Sequence, residues 1–219
     1  MNQTLSKTIE ELIDAVNKAD SADKLLETVE DLAEVRSPEA IPTLIEVLGF
    51  NNPGAAVAAV EGLIDIGEPS VPYILNNLDD YNYGARAWAI RVFAGVGDPQ
   101  ALDLLIKAAT SDFSLSVRRA ATRGLGFIKW SMLPDGEITP NQEKVFETLA
   151  FVTQDGEWVV RYASIVALEQ LGLTMIANNN DLITKLESVL KNLFDRDSEI
   201  AIQARIQLAL SNLETAKNK

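Results

Sequence analysis

One sentence of about thirty residues is read three times in this chain, and a period of that length restricts the fold more than any other feature. Aligning SPEAIPTLIEVLGFNNPGAAVAAVEGLIDIG from Ser37, EPSVPYILNNLDDYNYGARAWAIRVFAGVG from Glu68 and DPQALDLLIKAATSDFSLSVRRAATRGLGFI from Asp98 superposes Pro38, Pro69 and Pro99. Proline suits the first turn of a helix, where its missing N–H costs nothing and its fixed φ is already helical. Each copy then supplies a short amphipathic helix, a loop, and a second helix closing near Gly67, Gly97 or Gly126. Such a unit cannot bury its apolar face alone and must stack on its neighbours, so the expected fold is an all-α solenoid of two-helix repeats.

A second marker carries the register further. Asp80 precedes Arg86 by six residues, Asp112 precedes Arg118 likewise, Asp155 precedes Arg161, and Asp197 to Gln203 is a worn copy. An Asp at the N-cap of each second helix would accept orphan N–H groups and complement the dipole. The Arg, about two turns inside, can reach the Asp of a neighbouring unit. Asp80, Asp112, Asp155, Arg86, Arg118 and Arg161 are therefore read as a structural ladder rather than as ligand contacts. Two further units, from Thr139 and from Asn180, bring the expected total to five over residues 37–213.

Residues 1–36 read as two acidic amphipathic helices, an N-terminal cap with a polar outer face. The final LETAKNK is expected to fray. Between the third and fourth units the stretch 129–140, KWSMLPDGEITP, lengthens the period, and an insertion in a solenoid maps to one face, often the binding face. The whole of 1–219 is read as a single domain.

Composition narrows the chemistry. The chain has no cysteine and no histidine, which removes disulfides, thiol nucleophiles, Cys/His zinc sites and Ser-His-Asp arrangements. A net charge of −13 argues against nucleic acid and against an anionic membrane surface. The first residues show no basic segment followed by an apolar run, and no stretch is apolar enough to span a bilayer. A soluble, cytoplasmic protein without metal is expected.

The nine residues DYNYGARAW, 80–88, hold two tyrosines, an arginine and a tryptophan at a helix start. Asp80 and Arg86 belong to the ladder, and Trp88, in the apolar run AWAIRVF, is read as core. Tyr81, Asn82 and Tyr83 are then unaccounted for, on a loop held by a rigid scaffold where functional groups collect. Five of the nine arginines, Arg86, Arg91, Arg118, Arg119 and Arg123, lie in two successive second helices, a basic island in an acidic chain. Trp130 in the insertion has no counterpart in the repeats, whereas Trp158 is expected to pack between them.

The blocks GFNNPGAAVAAVEGL, LDDYNYGARAWAIR, GDPQALDLL, DFSLSVRRAATRGLG and DGEWVVRYASIVAL occur in that order between Ser37 and Gly172, and together they resemble the F subunits of the E/F-type phycobilin lyases, HEAT-like repeat proteins. The resemblance implies a heterodimeric enzyme that joins phycocyanobilin by a thioether to a cysteine of the phycocyanin alpha subunit, with an E-type partner. The bilin is then a substrate, the thiol belongs to the acceptor, and no cofactor is implied. A bilin carries two propionates and a flat conjugated body, so the resemblance directs attention to Tyr81, Tyr83, Arg91, Arg119, Arg123 and Trp130 as bilin or partner contacts. No catalytic residue is assigned. One alternative shares the scaffold, a non-catalytic adaptor or bilin chaperone acting on phycobilisome proteins in assembly or disassembly; an exposed groove without its partner is also expected to let the chain form a homodimer.

Overall fold

The computed structural model describes residues 7–77, 83–177 and 179–218, with the side chains of residues 83 and 180 excepted. Among the described residues it contains twelve α-helices, α1 Ile9–Asn17, α2 Ala22–Glu34, α3 Ile41–Val47, α4 Pro53–Ile66, α5 Ser70–Asn77, α6 Tyr83–Val96, α7 Leu102–Ser111, α8 Leu115–Leu125, α9 Asp135–Val152, α10 Trp158–Met175, α11 Asn180–Arg196 and α12 Ile200–Lys217, and no strand. The all-α solenoid repeat is as expected: α1 and α2 form the cap, and five helix pairs follow. The helices fall into two compact units, residues 1–96 and 97–219.

In the first unit, Thr8 opens α1 with a reciprocal capping box to Glu11, and Ser21 caps α2 by accepting from the Lys24 N–H. The second helices stack, α2 on α4 and α4 on α6, while α3 packs on α5. Small residues bring the stack close. On α4, Ala55, Ala56, Ala58 and Ala59 are buried, and a Cβ added at Gly62 would lie 2.6 Å from the Ala33 Cβ. Asn52 replaces the missing Asp/Arg pair of this repeat: its side chain accepts from the Ala55 N–H at 3.1 Å and donates to the Ala22 carbonyl at 3.0 Å, tying the loop to α2.

In the second unit the same order recurs: α8 packs on α10 and α10 on α12, while α7 packs on α9 and α9 on α11. Leu105, Val117, Leu125, Val145, Leu149, Ile165, Leu168, Leu186 and Ile206 are all fully buried along this core. A Cβ at Gly126 would lie 2.5 Å from the Ala167 Cα, so glycine is what allows α8 to meet α10 backbone to backbone. Pro38 and Pro99 open short 3₁₀ turns that lead into α3 and α7, and Pro69 directly precedes α5. Gly67 and Gly97, with φ of 81° and 72°, end the second helices where L side chains rarely fit.

Two expectations are corrected. Asp112, Asp155 and Asp197 are not N-caps: Ser114, Glu157 and Glu199 hold those positions in α8, α10 and α12. Each Asp lies two residues earlier and accepts the N–H of the cap residue itself, at 2.9, 2.8 and 3.0 Å for Asp112, Asp155 and Asp197. The insertion 129–140 is built from a 3₁₀ turn over Trp130–Met132 and the first turns of α9, with Pro140 inside the helix. Finally, residues 213–217 of the tail are helical rather than frayed: α12 runs to Lys217, whose ammonium pairs with Glu187 at 2.5 Å, and Leu213 is buried. No helix among the described residues is long and apolar enough to cross a membrane.

Candidate functional site

The ladder lies in the second unit as a pair of bidentate clamps. Arg118 donates from Nε and Nη2 to the two carboxylate oxygens of Asp155, at 2.7 and 3.1 Å, and from Nη1 to the carbonyls of Asp112 and Phe113. Arg161 repeats this one unit later, onto Asp197 at 2.7 and 3.2 Å and onto the carbonyls of Asp155 and Gly156. Gln203, the worn copy, keeps the local half of the arrangement, donating to the Asp197 carbonyl at 2.9 Å. Each Arg therefore fixes the loop of its own repeat and grips the next. The fork geometry is one that Arg supplies and Lys does not.

These pairs shift the groups involved in the expected directions. Hydrogen bonding to Asp155 raises the Arg118 pKa and hydrogen bonding to Asp197 raises that of Arg161. Burial pushes the Asp155 carboxyl up, but Arg118, the Glu157 N–H and Arg161 together outweigh it and hold the acid below its ordinary 3.8. The Arg161 clamp, against a smaller opposing effect of burial, lowers Asp197 as well. A carboxyl with a depressed folded pKa stabilises fully above its unfolded value and loses that contribution as pH falls through the folded value. The thermal midpoint should therefore be flat from about pH 7 to about pH 5 and fall steeply below about pH 4. Asp197→Asn should flatten the acid limb, which a series of thermal melts against pH would show.

Arg86 lies half-buried in α6 and Asp112 half-buried before α8, both at their ladder positions. Asp80, Tyr81 and Asn82 lie outside the described residues; Tyr83 opens α6, and its side chain is likewise outside them. Arg91 stacks on the face of Trp88, its guanidinium carbon 4.2 Å from the ring centroid, so Trp88 is half-buried as an aromatic platform and not the core residue expected. Arg123 lies over Phe127 at 5.8 Å. Arg119 and Arg123, four residues apart on α8, are exposed and have no carboxylate partner among the described residues. Like charges at this spacing repel, so the helix gains nothing from them.

Two aromatic assignments exchange places. Trp130, expected at a binding face, is 7% exposed in its 3₁₀ turn, with its indole N–H buried and unpartnered among the described residues. The irregular stretch that carries it folds back onto the core, held by the Lys129 N–H donating to the Gly97 carbonyl at 2.8 Å. Trp158, expected to pack between repeats, is 44% exposed at the first position of α10. Two features were missed from the sequence. One is a row of exposed apolar residues at the starts of α8, α10 and α12. The other is a buried pair, Arg205 of α12 with Glu169 of α10, to which the Asn212 side chain also donates at 2.7 Å. The ladder register would have revealed the first, since Leu115, Trp158 and Ile200 each stand three residues before Arg118, Arg161 and Gln203.

Comparison with known proteins now gives this scaffold its relatives. The HEAT-repeat family model matches residues 9–80 and 71–169. The chain is 48% identical over 212 residues to the phycocyanin alpha phycocyanobilin lyase CpcF of Synechocystis sp., covering 97% of both chains. It is 53% identical over 204 residues to a phycobilisome maturation protein of Synechococcus elongatus, covering 91% of this chain and 95% of that one. Among solved structures it is similar to a chain in the complex of CpcE and CpcF of phycocyanin lyase from Nostoc sp. PCC7120, with a TM-score of 0.72 at 48% identity, covering 80% of this chain and 99% of that chain. A computationally designed armadillo repeat protein, 18% identical with a TM-score of 0.57, shares the fold alone. The chain belongs to the HEAT-repeat proteins and, among them, to the F-type, or beta, subunits of the phycocyanobilin lyases.

Proposed function

We propose that this chain is one subunit of a heterodimeric lyase, working with an E-type partner to attach phycocyanobilin to a cysteine of the phycocyanin alpha subunit. The observation that carries this reading is identity of 48% along nearly the whole length to a lyase of that name, together with the likeness to a chain of the CpcE and CpcF complex. The reaction is an addition. The acceptor's thiolate sulfur bonds to the vinylic carbon of the bilin's first ring and a proton is taken up by the tetrapyrrole, so no redox partner or resident cofactor is required. Such a step depends on holding the bilin in one conformation with one face toward the sulfur, and positioning of this kind supplies a large share of a rate enhancement. A carboxylate or a tyrosine would serve as proton donor.

Arg119 and Arg123 suit the propionates: they are exposed, have no carboxylate partner among the described residues and lie on one face of α8, where charge-assisted bonds to carboxylates are strong. Arg91 on its Trp88 platform and the Tyr81–Tyr83 segment are the corresponding candidates in the first unit. Trp130, being buried, is withdrawn from the site. The protein works in the cytoplasm on this reading.

The test is co-expression of the chain with an E-type subunit, a phycocyanin alpha subunit and a source of bilin, followed by denaturing electrophoresis. Pigment that stays on the alpha subunit only when both lyase chains are present is the expected result. Pigment released by denaturant would identify a carrier, and attachment without this chain would refute the reading. In the same assay Arg119→Glu with Arg123→Glu should lower attachment roughly 10- to 100-fold, the loss of one or two charge-assisted bonds. Helicity should be unchanged, since both side chains are exposed.

A further inference from the structure

We infer that the loop edge of the second unit is the docking edge for the E-type subunit, and that the surface seated there is apolar and flanked by lysine or arginine. This rests on the heterodimer reading above. The first helical residue of three successive second helices is apolar and exposed: Leu115 of α8 at 42%, Trp158 of α10 at 44% and Ile200 of α12 at 81%, with Phe113 at 76% just before α8. The clamps Arg118–Asp155 and Arg161–Asp197 hold these three positions in register. Because α8 packs on α10 and α10 on α12, the residues form a row with a step of about 10 Å, the ordinary spacing of packed helices. None of the three is in the buried core, and the loops that present them are pinned, by Arg118 and Arg161 through the carbonyls of Asp112, Phe113, Asp155 and Gly156, and before α12 by Arg161 and Gln203 on Asp197. A rigid, exposed row anchored by tryptophan has the form of a protein interface centre.

Charge then selects the occupant. The residues at the N-caps of α10 and α12 are Glu157 and Glu199, exposed, making no side-chain capping bond and no ion pair among the described residues. Glu157 and Glu199 lie near enough to Arg118 and Arg161 to help raise those guanidinium pKa values, yet their carboxylates stay exposed and leave the edge beside Trp158 and Ile200 acidic. A second copy of this chain, paired through the same row about a two-fold axis at α10, would set Glu157 against its own copy. A different chain with cationic residues flanking an apolar strip meets both features. The E-type subunit is the occupant this inference commits to, since the similar solved structure is a complex of two different subunits.

The experiment measures binding of the purified E-type subunit to the purified full chain by calorimetry at low and at moderate salt, with a thermal melt of each variant. Trp158→Ser with Ile200→Ser should weaken binding about 50-fold with the melt unchanged, as expected for two anchors of an interface centre. Glu157→Lys with Glu199→Lys should weaken it too, and should turn binding that salt weakens into binding that salt strengthens. Unchanged affinity in both double variants overturns the inference while leaving the lyase reading intact, provided pigment is still attached. Variants that bind the E-type subunit normally but no longer capture the alpha subunit also overturn it, by assigning the row to the acceptor. If the unaltered chain binds no E-type subunit, the heterodimer reading and this inference fall together.

Discussion

Arg161→Ala should cost about 3 kcal/mol of stability and lower the thermal midpoint by roughly 6–12 °C, whereas Arg119→Ala, on the neighbouring second helix and one residue past the clamp position, should leave it unchanged. The magnitude follows from what is left behind. Arg161 and Asp197 are 17% and 5% exposed at their side chains, so removal of the guanidinium strands a carboxylate that is nearly out of water and releases two loop carbonyls as well. Arg161→Lys should recover less than half, because an ammonium cannot make the forked contact and reach the carbonyls together. A ladder of this kind couples neighbours only, so the loss should be local. Hydrogen exchange should rise in α11 and α12 before α8, and equal rises throughout the unit would show that the clamp is not a nearest-neighbour device.

The sequence made the repeat legible because a two-helix unit must restate its core, its proline start and its glycine stop in every copy. The Asp and Arg spacing was readable for the same reason: a contact between adjacent repeats has to recur at the repeat period. Two errors come from features that period does not encode. Spacing locates an aspartate only to within a turn, while the choice between capping the helix and capping the cap residue depends on loop dihedrals. The lack of a counterpart points Trp130 to the surface, yet a residue without a counterpart can equally fill the gap that an irregular connection leaves. Arg119 and Arg123 stand out as cations in an acidic chain, and the fold leaves them exposed, with no carboxylate partner among the described residues. Trp158, read as packing, is the residue that the register would have placed correctly, beside Leu115 and Ile200.

Glu169→Ala should be the most damaging single polar substitution in the second unit, costing about 3–5 kcal/mol, because it leaves a buried guanidinium without its counter-charge. Glu169 is 3% and Arg205 9% exposed, and one Arg205 nitrogen, Nη1, already lacks a partner. The repeat register explains why the pair is there. Arg205 stands where Ala120 and Ala163 stand in the two preceding repeats, and Glu169 stands where Gly126 does. Earlier repeats close this space by bringing backbones together, as Gly126 does against Ala167, whereas the last one fills it with two long side chains. A buried ion pair that replaces close packing is of little net value against an apolar filling, since desolvation consumes most of the Coulomb attraction. Glu169→Leu with Arg205→Met should therefore restore most of the stability lost in Glu169→Ala, and a double-mutant cycle on Glu169→Ala and Arg205→Ala should show a coupling of about 2 kcal/mol or more. Additive losses in that cycle would mean that each side chain acts through its own packing, and that α12 is held by Leu213 and Ile206 against α10 without help from charge.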